Sequence, residues 1–283
     1  MERLPGKYLI IIPAYNEAEN ISSVLTELRA VVPWADVVVI DDGSRDATAA
    51  LARRHGATVI THPVNLRYGA ALQTGFKYAR RHGYDFVIQF DGDGQHDPAN
   101  IAVMAEAMAT TGADIVIGSR FLNDQKHTNW KRGLGIKMFS LMIRALTGQQ
   151  VNDPTSGLQL LNRRVYQFYS YANQFPVDFP DANVLVLMIL AGFKVTERVA
   201  SIRERLHGES MHSGFKVVKY LVIMIYSIFI AIVKGRAYRG SLGFDGPTLP
   251  ASVEQVSAST TAMSNVPATP SGAMAPAKGG GQR

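Results

Sequence analysis

Phe86-Val87-Ile88-Gln89-Phe90-Asp91-Gly92-Asp93-Gly94-Gln95-His96-Asp97-Pro98 decides how the rest of this chain is read. Its first five residues form a mostly apolar run typical of a buried strand, and the run ends in two aspartates separated by one glycine. In an open α/β sheet ligands bind outside the carboxyl ends of the strands, so acidic groups at that place invite a functional reading. Two carboxylates this close repel each other unless a cation lies between them or one takes up a proton. Hard divalent ions such as Mg²⁺ or Mn²⁺ accept oxygen ligands of this kind, and Mg²⁺ commonly adds substrate phosphates. The physical reading is a metal bridge from the chain to a diphosphate. An ordinary Asp-Gly turn competes with it, since both residues are common in loops.

Outward from this stretch, apolar runs alternate with helical patterns. Tyr8–Ile12, Val37–Ile40, Thr58–Ile60, Phe86–Phe90 and Ile115–Ile117 read as short buried strands. Ala18–Val31, Ala47–His55, Ala70–Arg81 and Pro98–Thr111 read as helices between them. Strands alternating with helices of this length predict βαβ units and an α/β fold with a mainly parallel central sheet. Asp97-Pro98 has the form of a helix cap followed by proline at the first helical position, and Asp46 also precedes a helical run. Beyond Phe121 the pattern is irregular, then helical around Leu134–Leu146. A strand at Gly157–Leu161, helices near Arg163–Ala172 and Asp181–Ala191, and strand character over Val195–Arg205 follow. This half reads as cover for the first, so residues 1–212 are expected to form one catalytic domain.

Residues 213–240 are expected to form a separate apolar element. Val217–Val233 is interrupted only by Lys219 and bounded by Lys216 and Lys234. It falls short of the roughly 20 residues that cross a bilayer. Lysines at its ends can snorkel to headgroups, and Tyr220 and Tyr226 suit an interface. Three uses compete: a helix lying in the membrane interface, a short tilted span, and a buried core or oligomer helix. Residues 241–283, rich in Pro, Ala, Ser, Thr and Gly, read as a disordered tail without a catalytic role.

Composition narrows the partners. The 283 residues suffice for a substantial core, and 47% are hydrophobic. The absence of cysteine excludes disulfides and thiolate metal sites. The amino terminus lacks the basic-then-apolar layout of a secretory signal, which makes a cytosolic location the expectation. A net charge of +6 and a pI near 9.5 suit an anionic partner, either nucleotide phosphates or a lipid surface. No basic arm interleaved with aromatics is present, so nucleic acid is not expected.

Two further junctions carry polar groups. Ile11-Ile12-Pro13-Ala14-Tyr15-Asn16-Glu17 closes the first strand, where proline is expected to release the chain from the sheet and expose backbone to a flat ligand. Asp41-Asp42-Gly43-Ser44 closes the second, where a carboxylate can accept hydrogen bonds from a nucleobase or ribose. Helix capping is the competing role at both places.

IIPAYNE, DDGS, NLRYGAALQTGF, FDGDGQHDP, IGSRF and DPTSGL, in this order and spacing, resemble a family 2 glycosyltransferase with the GT-A fold. The likeness runs from about Lys7 to Ser213 and is nearest to the dolichol- or polyprenyl-phosphate sugar synthases. It implies a nucleotide-diphosphate sugar as donor and a divalent metal as cofactor. Asp91 and Asp93 fall on the family's Asp-x-Asp, with Gln95 at a third position near the metal. Pro13, Tyr15, Glu17 and Asp42 fall on its nucleotide-contacting positions, and neighbouring Asp41 joins them as a candidate. Arg203 and Arg205, within Arg203-Glu-Arg205-Leu-His207-Gly208-Glu-Ser210, resemble the family's loop over the donor diphosphate, a task suited to bidentate guanidinium groups. The resemblance also implies inversion at the sugar.

The acceptor separates the enzyme readings. A sugar hydroxyl would need a general base such as Asp153, Asp178 or Asp181, of which Asp153 and Asp181 are taken as catalytic candidates. A polyprenyl phosphate is already ionised and needs cationic clamps instead. Arg120 in IGSRF matches a family arginine for acceptor phosphate, and Arg132 a second. A serine commonly follows that second arginine by four residues, where this chain has Ile136. The expectation is therefore an inverting transfer to polyprenyl phosphate at the cytoplasmic membrane face, by a peripheral protein aided by a small membrane partner or by self-association. A hydroxyl-acceptor transferase of surface polysaccharide and a non-catalytic nucleotide-sugar binding subunit are the alternatives.

Overall fold

The computed structural model describes residues 3–122, 130–171, 175–203 and 216–238, with backbone alone at 130–132, 134 and 216–222. The strands are β1 (Tyr8–Ala14), β2 (Ala35–Asp41), β3 (Thr58–Thr61), β4 (Phe86–Gln89), β5 (Ile115–Ser119), β6 (Gln159–Asn162) and β7 (Val195–Val199). They form one sheet in the order β3-β2-β1-β4-β6-β5-β7. All pairings are parallel except those of β6, which runs antiparallel to β4 and β5. The helices are α1 (Ile21–Val31), α2 (Thr48–Arg54), α3 (Tyr68–His82), α4 (Ala99–Thr111), α5 (Trp130–Thr147), α6 (Arg163–Ser170), α7 (Ala182–Leu190) and α8 (Lys216–Tyr238).

Burial explains the arrangement. Leu9 and Ile11 of β1 and Val38 and Ile40 of β2 enter one core with Phe76 of α3, Phe168 of α6 and Leu185 of α7. The alternate residues Ile10, Ile12 and Val39 are buried as well. Both faces of the sheet are therefore covered, as expected for parallel strands. α3 lies so close to β1 that a Cβ on Gly75 would stand 2.4 Å from Ile11 Cγ2.

Three differences from the sequence reading have local causes. β1 continues through Pro13, which pairs in register with Ile40 instead of releasing the chain. Backbone groups of alternate residues in a parallel strand point the same way. Phe90 N donates to Ile11 O, so the side of Pro13 without an N–H faces β4, whose ladder ends at Ile11 and Gln89. The missing donor costs no ladder bond there. α4 begins after Pro98, and Asp97 Oδ1 still accepts from Ala99 N at 2.9 Å. β7 stops at Val199, and Ser201–Arg203 turn instead onto the acidic loop after β4.

α8 is longer than the apolar run that signalled it. Met224, Ile228 and Ala231 recur at helical spacing and join the core. Gly235 lets α8 approach α7: a Cβ there would lie 2.7 Å from Leu190 Cβ. α7, apolar except for Asn183, is accordingly buried between neighbours. Ile225, Tyr226, Phe229 and Val233 form the opposite stripe and are 55–66% exposed. Among the described residues no helix is long and apolar enough to cross a membrane. The 241–283 tail lies outside the described residues.

Candidate active site

The strand order reverses between β1 and β4, and the polar loops of the sequence gather at the carboxyl ends of β1, β2 and β4. The first two loops are stitched together. Asn16, at φ 55°, accepts from Arg45 N through Oδ1 at 2.9 Å, and its own N donates to Ser44 Oγ at 3.0 Å. Asparagine tolerates this left-handed backbone better than most residues. Glu17 N donates to Thr48 Oγ1 and Ala18 N to Asp46 Oδ2. Pro13 is half-buried and Tyr15 exposed at this rim, while Glu17 Oε2 accepts from Asn20 Nδ2.

The paired aspartates after β2 face different tasks. Asp41 Oδ1 accepts from Ser44 N at 3.2 Å. Asp42 accepts from Leu66 N and Arg67 N at 2.8 Å each, and its Oδ1 lies 2.7 Å from His62 Nδ1. The buried Asp42 carboxylate thus shapes the Asn65–Gly69 loop. Arg67 in that loop has φ 79°, a backbone region that favours glycine. The bond to Asp42 and a second to Asn65 Oδ1 hold it there, and its guanidinium pairs with Asp178 at 2.7 Å. Tyr68, the next residue, is thereby aimed at the acidic loop.

Asp91 is gripped from two sides. Tyr68 OH donates to Oδ1 at 3.0 Å, and His96 Nε2 lies 3.2 Å from Oδ2. Burial pushes the Asp91 carboxyl up, but His96, the Tyr68 hydroxyl and the charge of Arg120 together hold it below the usual carboxylate range. Burial, then Asp91, pushes the Tyr68 hydroxyl well above its ordinary value, so it remains a donor. Asp93 is buried and accepts from Gln95 N through Oδ1 at 3.0 Å. Both acids sit on one tight loop, ionised Asp91 beside Asp93.

The segment after β7 is tied to this loop. Asn100 grips Ser201 twice, donating to its O at 2.9 Å and accepting from its N at 3.0 Å. Ile202 bridges His96, and Arg203 N donates to Gln95 O at 2.8 Å. The Arg203 guanidinium pairs with Glu27 at 2.6 Å and stands 3.6 Å from Asp97. Arg205, His207, Gly208 and Ser210 lie outside the described residues, and so does the side chain of Arg132. Ile136, where a serine would support a phosphate contact, is buried apolar packing.

Across the site, Arg120 forms a two-pronged pair with Asp153: Nε to Oδ2 and Nη2 to Oδ1, both 2.7 Å. Asp153 is 0% exposed. Burial works against the Arg120 charge, but Asp153 outweighs it and the guanidinium is held charged more firmly than usual. This corrects the general-base reading of Asp153, because a sealed carboxylate with both oxygens on a guanidinium cannot reach an acceptor hydroxyl. Asp178 is likewise paired. Asp181 stands at the start of α7 without a side-chain cap bond, and its charge is felt at both Tyr68 and Arg120. Asp91 and Asp181 thus lie within electrostatic reach of both Tyr68 and Arg120, and Asp93 within reach of Tyr68.

Tyr68 and His96 were not picked out by the sequence reading, although both lie inside quoted motifs. Gly157 was also missed. A Cβ there would lie 2.3 Å from Asp91 Oδ2, so only glycine leaves room for the carboxylate. Gly157→Ala is accordingly expected to displace Asp91 and lower kcat by about a hundredfold, on the scale of losing one preorganised electrostatic group. Steady-state kinetics beside an unchanged circular dichroism spectrum checks this.

A mostly parallel sheet with acidic loops at its switch point defines the class of α/β enzymes that seat a ligand at the carboxyl edge. The glycosyl transferase family 2 model matches residues 9–169, and the chain belongs to that family. It is 31% identical over 223 residues to undecaprenyl-phosphate mannosyltransferase of Micrococcus luteus, covering 74% of this chain and 88% of that protein. It is 30% identical to polyprenol monophosphomannose synthase of Mycolicibacterium smegmatis, over 74% of this chain and 82% of the other. Among solved structures, glucosyl-3-phosphoglycerate synthase from Mycobacterium tuberculosis in complex with Mn²⁺, UDP-glucose and phosphoglyceric acid superposes with a TM-score of 0.56. That match covers 81% of this chain and 79% of the other at 19% identity, and it establishes the shared GT-A fold.

Proposed function

We propose that this chain moves one sugar, with inversion, from a nucleotide-diphosphate donor to a polyprenyl phosphate at the cytoplasmic face of a membrane. One observation carries the reading: Arg120, paired with buried Asp153, adds its charge to His96 and the Tyr68 hydroxyl in holding Asp91 below the usual carboxylate range, so a cation lies within electrostatic reach of the acidic loop. Two anionic substrates need such a pairing. The named activities of the Micrococcus and Mycolicibacterium relatives support it.

The oxygen donors of Asp91 and Asp93 suit Mg²⁺ or Mn²⁺. Gln95 and substrate phosphates would supply further oxygens to such an ion. Such an ion supplies Lewis-acid stabilisation of the diphosphate leaving group. The chain's own residues do the rest. Tyr68 and His96 fix the Asp91 carboxylate. Pro13, Tyr15, Glu17 and Asp41 are assigned to the nucleotide, and Arg203 and Arg205 to its diphosphate. Arg120 holds the acceptor phosphate, and Arg132 is assigned to the same phosphate. An ionised phosphate needs no general base, and two of the three candidate bases, Asp178 and Asp153, are each taken by an arginine.

The exposed stripe of α8 supplies the membrane contact, with Lys234 and Arg236 at its end for anionic headgroups. α8 packs on α7, whose start at Asp181 lies beside the site. Ile225→Glu with Phe229→Glu is expected to lower partition onto anionic vesicles by at least about tenfold, from the apolar burial lost. Vesicle co-sedimentation measures this, and concentration-dependent sedimentation without lipid would instead reveal self-association through the same stripe.

The function is tested with the full chain, Mn²⁺, undecaprenyl phosphate and a panel of GDP- and UDP-sugars. Mass spectrometry is expected to show a sugar-phosphate-lipid from at least one donor. Transfer only to neutral hydroxyl acceptors would overturn the reading.

A further inference from the structure

We propose that Asp153 is a positioning residue: it fixes the Arg120 side chain so that its Nη1 edge is presented to the acceptor phosphate. The inference rests on the acceptor reading above and assigns a sealed carboxylate a part in it.

A guanidinium carries five N–H donors in a rigid planar fork. Asp153 takes two, Nε–H on Oδ2 and one Nη2–H on Oδ1. Thr155 Oγ1 accepts the other Nη2 hydrogen at 2.9 Å. Both Nη1 hydrogens remain, and among the described residues no acceptor takes them. Arg120 N also donates to Asp153 Oδ2 at 3.0 Å, so one carboxylate fixes the backbone and the side chain of the same arginine.

Asp153 is itself anchored. Glu197 of β7, opposite Ile117 of β5, accepts from Asn152 N, Asn152 Nδ2 and Asp153 N at 2.8 Å each. The chain of contacts runs from a sheet strand through a buried carboxylate to a partly exposed cation within electrostatic reach of Asp91 and Asp181. A buried ion pair is a poor stabiliser compared with apolar packing of the same volume. Here it does something packing cannot: it removes the rotational freedom of a long side chain before the ligand arrives. Thr155 completes the clamp.

The test compares Thr155→Val and Asp153→Asn with the unaltered full chain. Binding of farnesyl phosphate is measured by calorimetry, with farnesol as the uncharged control and a nucleoside diphosphate plus Mn²⁺ as the donor-side control. Thr155→Val is expected to weaken farnesyl phosphate by about tenfold, the scale of one hydrogen bond to a charged group, without moving the melting temperature. Asp153→Asn is expected to weaken it further. Nucleotide affinity should stay within about twofold in both, since neither change touches the donor side. Unchanged farnesyl phosphate binding in both variants overturns the positioning role while leaving the acceptor reading intact. So does a parallel loss of lipid phosphate and nucleotide, which marks a merely structural residue. If the unaltered chain binds nucleotide but no farnesyl phosphate, the acceptor reading itself fails and takes this inference with it.

Discussion

Asp93→Asn lowers kcat on the order of a thousandfold while leaving the fold intact. Asparagine has the size of aspartate and keeps an oxygen for the Gln95 N–H, so the Asp91–Gln95 loop retains its shape. What disappears is one negative charge at the place proposed for a divalent ion. Losses of this size follow removal of a single preorganised electrostatic contribution to a developing charge. kcat and kcat/KM should fall together, the signature of an interaction made in the transition state. Asp91→Asn would be harder to interpret, because Tyr68 and His96 both bond that side chain. Steady-state transfer rates with circular dichroism as control provide the check.

Arg120→Ala should damage both stability and acceptor use. It strips the partner from Asp153, which has no contact with solvent. Breaking a buried pair in this way costs about 3–5 kcal/mol, and in a chain of this size the melting temperature falls on the order of 10 °C. The double change Arg120→Ala with Asp153→Ala is expected to be less destabilising than the sum of the two single ones, since no orphaned charge is left. Activity should not follow stability: the double variant stays defective toward polyprenyl phosphate because the cation is gone. Differential scanning calorimetry and acceptor titrations separate the two effects.

How far these results were legible from sequence depends on distance along the chain. The alternation of β1 to β5 with α1 to α4 could be read from runs such as Tyr8–Ile12 and from helical spacing, because each signal is local. Element ends escaped where a neighbour sets them. Pro13 stays in β1 only because β4 has already finished, and β7 stops short because Asn100 and Gln95 capture Ser201 and Arg203. In the site, the acidic pair announced itself through its spacing and its place after a strand. Its supports did not, since Tyr68 reaches Asp91 from 23 residues away and depends on the unusual backbone at Arg67. The same holds for Asp153, a plausible base by residue type, whose true partner Arg120 is 33 residues distant. For α8, composition revealed an apolar helix but not that Met224, Ile228 and Ala231 face inward while Phe229 remains outside.

The most direct test concerns the ion at the acidic loop. Calorimetry of UDP and GDP binding to the full chain should show heat of association for at least one of them with Mn²⁺, little with excess chelator, and little for Asp91→Asn with Asp93→Asn in either condition. Equal nucleotide affinity with and without the ion, or unchanged affinity in the double variant, would contradict the account.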